Sequence, residues 1–148
     1  MATTEAPSIP LVDEERLVEF LATQPDVVAA YLFGSAARGQ ATPHSDVDIA
    51  LLLREVDRET LWERRLQLMG ELERFGDRVD VVVLNLAPLL LQHRVLSEGR
   101  LLYEGDRPAR VEFEVRVGKR YADYRPTLEF FKQALFQEIR EGRLGGRR

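Results

Sequence analysis

Three carboxylates stand where strands should be apolar: Asp46, Asp48 and Asp80. Asp46 and Asp48 are two residues apart at the head of the run DVDIALLL. In a strand that spacing points both side chains to one face, about 6.6 Å apart along the chain. Asp80 lies near the start of a later run, VDVVV. If the two strands are neighbours, it can face the same way. Three converging carboxylates repel one another, so the cluster needs cations or protons to be stable. Hard oxygen donors in a polar, open setting suit Mg²⁺, which keeps several waters and takes up phosphate oxygens.

A second group lies upstream. Gly34-Ser35 follows an apolar run, and a glycine there lets the backbone come close to a ligand. The serine hydroxyl and the free N–H groups of a short helical turn make a natural phosphate seat. Arg38, one turn on, can reach the same phosphates. Ser45, next to Asp46, is a further candidate nucleotide ligand, or else a loop cap. Phosphate seat plus carboxylates implies a metal-assisted reaction on a nucleoside triphosphate. Two metals about 4 Å apart would clamp the attacking and leaving oxygens. Asp46 and Asp48 would bridge both metals. Asp80 would hold the metal that activates the attacking hydroxyl and could accept its proton.

The surrounding pattern must position these residues. After a polar start, Asp13 caps a helix running to about Gln24, with Leu17, Phe20 and Leu21 on one face. Val27–Phe33 reads as a buried strand, Asp46–Leu53 as a second and Val79–Leu84 as a third. The stretch 57–75 is helical, with Gly76 as its C-cap. Pro88 starts another helix that Gly99 ends, and Leu101–Tyr103 is a short fourth strand. Beyond it the periodicity is double. Val111, Phe113, Val115 and Val117 alternate as in a strand, whereas Phe113, Val117, Tyr121 and Tyr124 repeat as in a helix. Two helices are expected, the last opened by Pro126 and running to about Glu141. The fold class is α/β (α+β): a small mixed four-stranded sheet, helices on one side, and C-terminal helices. The expected division is a flexible tail 1–11, a catalytic domain 12–106, a helical extension 107–141 and a disordered basic tail 142–148.

Composition narrows the partners. The 148 residues suit one domain able to bury a core unaided. There are no cysteines, which excludes disulfides and thiol chemistry, and two histidines, His44 and His93, too few for a His-rich metal site. A net charge of −4 argues against non-specific binding to nucleic-acid backbones. No run is long enough for a membrane helix and Met1–Pro10 does not read as a signal peptide, so a cytoplasmic protein without membrane contact is expected. Six of the aromatics, Phe113, Tyr121, Tyr124, Phe130, Phe131 and Phe136, cluster in the C-terminal part. They read as helix packing or as a protein interface, through which a homodimer or hetero-oligomer would form.

The run GSAARGQATPHSDVDIALLL resembles the signature of the minimal nucleotidyltransferases (MNT family) of the DNA polymerase β-like superfamily. That signature is Gly-Ser, ten residues, then Asp-x-Asp, and Gly34-Ser35, residues 36–45 and Asp46-Val47-Asp48 match it without a gap. Asp80 supplies the expected third acid, and VLSEGRLLYEGD is similar to the family's end of domain. Residues 107–141 resemble the C-terminal helices of longer members, the antitoxins of HEPN/MNT pairs. The resemblance implies a nucleotidyltransferase-like fold and transfer of AMP from ATP to a tyrosine of a HEPN RNase toxin, which silences it.

Two rival functions follow from the same residues. The acceptor could be a small molecule such as an aminoglycoside, although 107–148 is short for an acceptor pocket. Alternatively the chain could neutralise a partner by binding alone, with a vestigial acidic site. Nucleotide addition to RNA is disfavoured by the acidic charge and by the lack of an accessory nucleic-acid domain.

Overall fold

The computed structural model describes residues 13–34, 47–76 and 78–142. Along the chain these form α1 (Glu14–Ala22), β1 (Val27–Phe33), β2 (Val47–Leu53), α2 (Arg58–Leu72), β3 (Val79–Val83), α3 (Leu89–Glu98), β4 (Arg100–Glu104) and α4 (Arg107–Arg140). The strands join in the order β3-β2-β1-β4. β1 is antiparallel to β2 and to β4, while β2 and β3 are parallel, so the sheet is mixed. No helix among the described residues is long and apolar enough to cross a membrane.

The strands alternate between two cores. Val47, Ile49, Leu51 and Leu53 of β2 join Leu17 and Leu21 of α1 and Leu61, Leu68 and Leu72 of α2. Ala50 and Leu52 turn the other way, toward Val95 of α3 and Phe113 and Val117 of α4. Helices therefore cover both faces of the sheet, not one side as expected from the sequence. The physical reason is the wholly apolar character of β1 and of β2 beyond Asp48. A strand with one solvated face would alternate with polar residues.

Side-chain caps set the helix starts. Asp13 accepts a hydrogen bond from the Arg16 N–H at 3.3 Å, and Asp57 accepts one from the Thr60 N–H at 3.1 Å. Thr60 also donates its hydroxyl to Asp57, and these bonds hold the Asp57 carboxyl below its usual range. Asp106 accepts from the Ala109 N–H at 3.1 Å and pairs with Arg54 at 2.9 Å. Pro108 then occupies the first turn of α4, where a missing N–H costs nothing.

The C-terminal region departs from the sequence reading. Residues 107–140 form one continuous helix of 34 residues, so the strand alternative for 107–118 is excluded and Pro126 lies inside a helix instead of opening a new one. A helical proline removes one backbone hydrogen bond, here to the carbonyl of Ala122. Ala122 and Pro126 are both exposed, so water can bond that carbonyl. At about 100° per residue, the apolar positions before and after Pro126 fall on one stripe, which lets a single helix serve both halves.

The first turns of α4 are clamped to the sheet. Arg110 pairs with Glu104 of β4 at 2.5 Å and with Glu114 at 2.7 Å. Glu114 in turn accepts the Tyr31 hydroxyl of β1 at 2.6 Å. Burial, with the Glu114 carboxylate beside it, pushes the Tyr31 phenol well above its ordinary value. Hydrogen bonds to Glu114 and Glu104 raise Arg110 likewise. The last packed turn carries Tyr121, stacked on His93 of α3 with ring centroids 3.5 Å apart and planes 4° apart.

Candidate functional site

The register of the sheet builds the site. Phe33, the last residue of β1, pairs with Asp48 of β2, and Asp48 pairs with Asp80 of β3. Register partners carry their side chains on the same face of a sheet. Asp48 and Asp80 are thus neighbours on one face, at the end where β1 finishes and β2 and β3 begin. A backbone hydrogen bond from the Val47 N–H to the Arg78 carbonyl, 2.6 Å, fixes the approach of β3 to β2 just before the acids. Asp48 is half-buried and Asp80 exposed, so the pair opens outward from a closed core.

Gly34 completes the described part. Its φ is +77°, a left-handed conformation that glycine adopts without penalty. It also lies against Asp48: a Cβ at this position would overlap the Asp48 Oδ2 atom and stand 3.2 Å from its Cγ. The glycine therefore has two jobs, turning the chain out of β1 and leaving room for the carboxylate. The second was not readable from the sequence, because it depends on a cross-strand neighbour fourteen residues away.

Of the seven candidate residues, Gly34, Asp48 and Asp80 are brought to one end of the sheet. Ser35, Arg38, Ser45 and Asp46, and His44 with them, lie outside the described residues. Among the described residues no group of three acids or histidines is arranged to hold a metal ion. Two adjacent carboxylates are nevertheless the kind of hard oxygen donors that Mg²⁺ takes.

The other aromatic candidates sort by environment. His93 is engaged with Tyr121 and not with the acids. Trp62 is exposed, with the Arg65 guanidinium 5.6 Å from its ring centre. Arg65 also donates to the Val81 carbonyl at 3.2 Å, tying α2 to β3. Phe130 and Phe131 meet edge to face, centroids 5.6 Å apart, and both are exposed.

A family model described as polymerase beta, nucleotidyltransferase matches residues 15–108, which spans all four strands. The chain belongs to that family. Among relatives of the nucleotidyltransferase, the protein adenylyltransferase MntA of Shewanella oneidensis is 31% identical over 94 residues, covering 62% of this chain and 66% of that protein. The chain thus spans just under two thirds of that relative. The protein adenylyltransferase MntA of Aphanizomenon flos-aquae is 31% identical over 120 residues, 74% of this chain and 79% of that protein. Among solved structures, a toxin–antitoxin with AMP-PNP shares 28% identity at a TM-score of 0.61, covering 86% of this chain and 98% of that one. A tri-AMPylated Shewanella oneidensis HEPN toxin in complex with an MNT antitoxin matches at 27% identity and a TM-score of 0.54, covering 85% and 94%. The mixed four-stranded sheet of the nucleotidyltransferase is the fold of these antitoxin structures.

Proposed function

We propose that the nucleotidyltransferase moves AMP from ATP to a protein hydroxyl, a tyrosine of a cognate HEPN toxin, and so acts as its antitoxin. The observation that carries this reading is the register pair Asp48–Asp80 beside Gly34. It supports metal-assisted phosphoryl chemistry, and the MntA relatives are named for AMP transfer to protein. With ATP as substrate, the reaction is cytoplasmic.

In this reading Asp46, Asp48 and Asp80 would hold two Mg²⁺ ions, which when bound would supply charge neutralisation for the triphosphate. Gly34 and Ser35 admit the triphosphate to the end of β1, with Arg38 and Ser45 adding contacts to it. The acceptor oxygen attacks the α-phosphorus, a P–O bond forms, the bond to the β-phosphate oxygen breaks, and pyrophosphate leaves. Asp80, the more exposed of the pair, takes the proton from the acceptor hydroxyl. Catalysis belongs to 12–106, and 107–141 serves the partner.

The test uses full-length protein, Mg²⁺, the HEPN protein and ATP labelled in either the α- or the γ-phosphate. The α-label should enter the HEPN protein and the γ-label should not. No α-label with wild type, or equal label with Asp48→Asn, contradicts the reading.

A further inference from the structure

The stripe that seats α4 on the domain does not stop where the domain stops. Phe113, Val117, Tyr121, Tyr124, Leu128, Phe131, Leu135 and Ile139 fall within an arc of about 80° at about 100° per residue. Phe113 and Val117 are buried, and Tyr121 lies against His93. Past that stack most of the same stripe is exposed, Phe131 at 60%, Leu135 at 48% and Ile139 at 53%, with Leu128 half-buried. From Tyr124 to Ile139 it runs about 23 Å. An exposed apolar strip of this kind marks an interaction surface.

Its flanks say what covers it. Arg125 and Lys132 border one side of the strip, and Glu138 borders the other, with Glu141 behind it. A second copy fits poorly. In an antiparallel pair each flank meets its own kind, so Arg125 and Lys132 would face Lys132 and Arg125 of the other copy. In a parallel pair the flanks match, but the partner helix would run into the domain that already occupies the stripe at Phe113, Val117 and Tyr121. A different protein meets neither obstacle.

We propose that the distal half of α4, Tyr124 to Ile139, is the surface on which the toxin docks. The occupant is a helical face of the toxin with an apolar strip and with acidic residues opposite Arg125 and Lys132. This rests on the antitoxin reading and names the surface it uses. The likeness to antitoxin chains solved with their toxins supports it, because 86% of this chain cannot be covered without part of α4. The aromatic anchor would be Phe131, since aromatic side chains dominate interface energetics.

The test compares wild type with Phe131→Glu/Leu135→Glu, with Arg125→Glu/Lys132→Glu, and with Phe130→Glu on the other side of the helix. Affinity for the toxin, for AMP-PNP with Mg²⁺, and the sedimentation of the protein alone are measured. The first two variants should bind toxin at least about tenfold more weakly and bind AMP-PNP unchanged, with Phe130→Glu near wild type. AMP transfer should fall through a raised KM for toxin at unchanged kcat. Unchanged toxin affinity in the stripe variant overturns the proposal. So does equal loss in Phe130→Glu, or a wild-type dimer that the stripe variant breaks without affecting toxin binding. If wild type transfers no AMP yet the stripe variants still lose toxin, the docking surface stands and the proposed chemistry fails.

Discussion

The acid-bearing end of the sheet and the distal half of α4 are built on opposite plans. At the sheet end, residues far apart in sequence are fixed by strand register, so Gly34, Asp48 and Asp80 have one arrangement each. Along distal α4, residues close in sequence share a face through helical periodicity alone, with little of the domain against them. The first region is held in place by the sheet itself. The second presents an apolar strip that is largely exposed. In the proposed function the first would hold the nucleotide and the second the partner.

The largest effect on activity is expected at the acids. Asp48→Asn should lower transfer roughly a thousandfold, the rate equivalent of the several kcal/mol that metal-held charge stabilisation supplies. Its melting temperature without metal should change far less than its transfer rate. A large fall in melting temperature would make Asp48 a folding residue instead.

The two halves of the α4 stripe sharpen it further. Phe113→Ala should cost about 3–5 kcal/mol of stability in denaturant unfolding, because it leaves a cavity in the second core. Phe131→Ala, of the same type on the same stripe, should change stability by less than about 0.5 kcal/mol. Equal costs would mean that the distal half is packed in solution.

Gly34→Ala comes next, at about 1–2 kcal/mol for the left-handed backbone. Its effect on transfer should exceed its effect on stability, since the new methyl pushes the Asp48 carboxylate aside. Comparing the variant's transfer rate with its unfolding curve separates the two.

The smallest effect is expected at the clamp. Tyr31→Phe should cost about 1 kcal/mol at neutral pH, with Glu114 still bonded to Arg110. The Tyr31 phenol is raised in the folded state, so its share of stability is full below about pH 10, the unfolded value, and is lost as pH climbs through the higher folded value. Alkaline melting curves of wild type and variant should converge above pH 10.

Much of this was legible in the sequence, for identifiable reasons. β1, β2 and β3 announced themselves as short apolar runs between breakers, and the acids stood out because each interrupted such a run. Register was not legible. That Asp48 pairs with Asp80, and that its carboxylate fills the space above Gly34, depends on non-local strand pairing. Helix placement on both faces follows from the unbroken apolar character of β1 and β2, a weaker signal than the single apolar stripe of each helix. Pro126 misled because proline more often starts a helix than sits inside one, and only the stripe running past it shows that the helix continues. Phe113 and Phe131 have the same periodicity, and nothing local distinguishes the buried one from the exposed one.

The most direct measurement is a mass-spectrometric map of the HEPN protein after incubation with ATP and Mg²⁺, using wild type, Asp48→Asn and Asp80→Asn. The account predicts AMP on a tyrosine of the HEPN protein with wild type and an unmodified chain with either variant. Modification that persists in both variants, or a HEPN protein that wild type leaves unmodified, would contradict it.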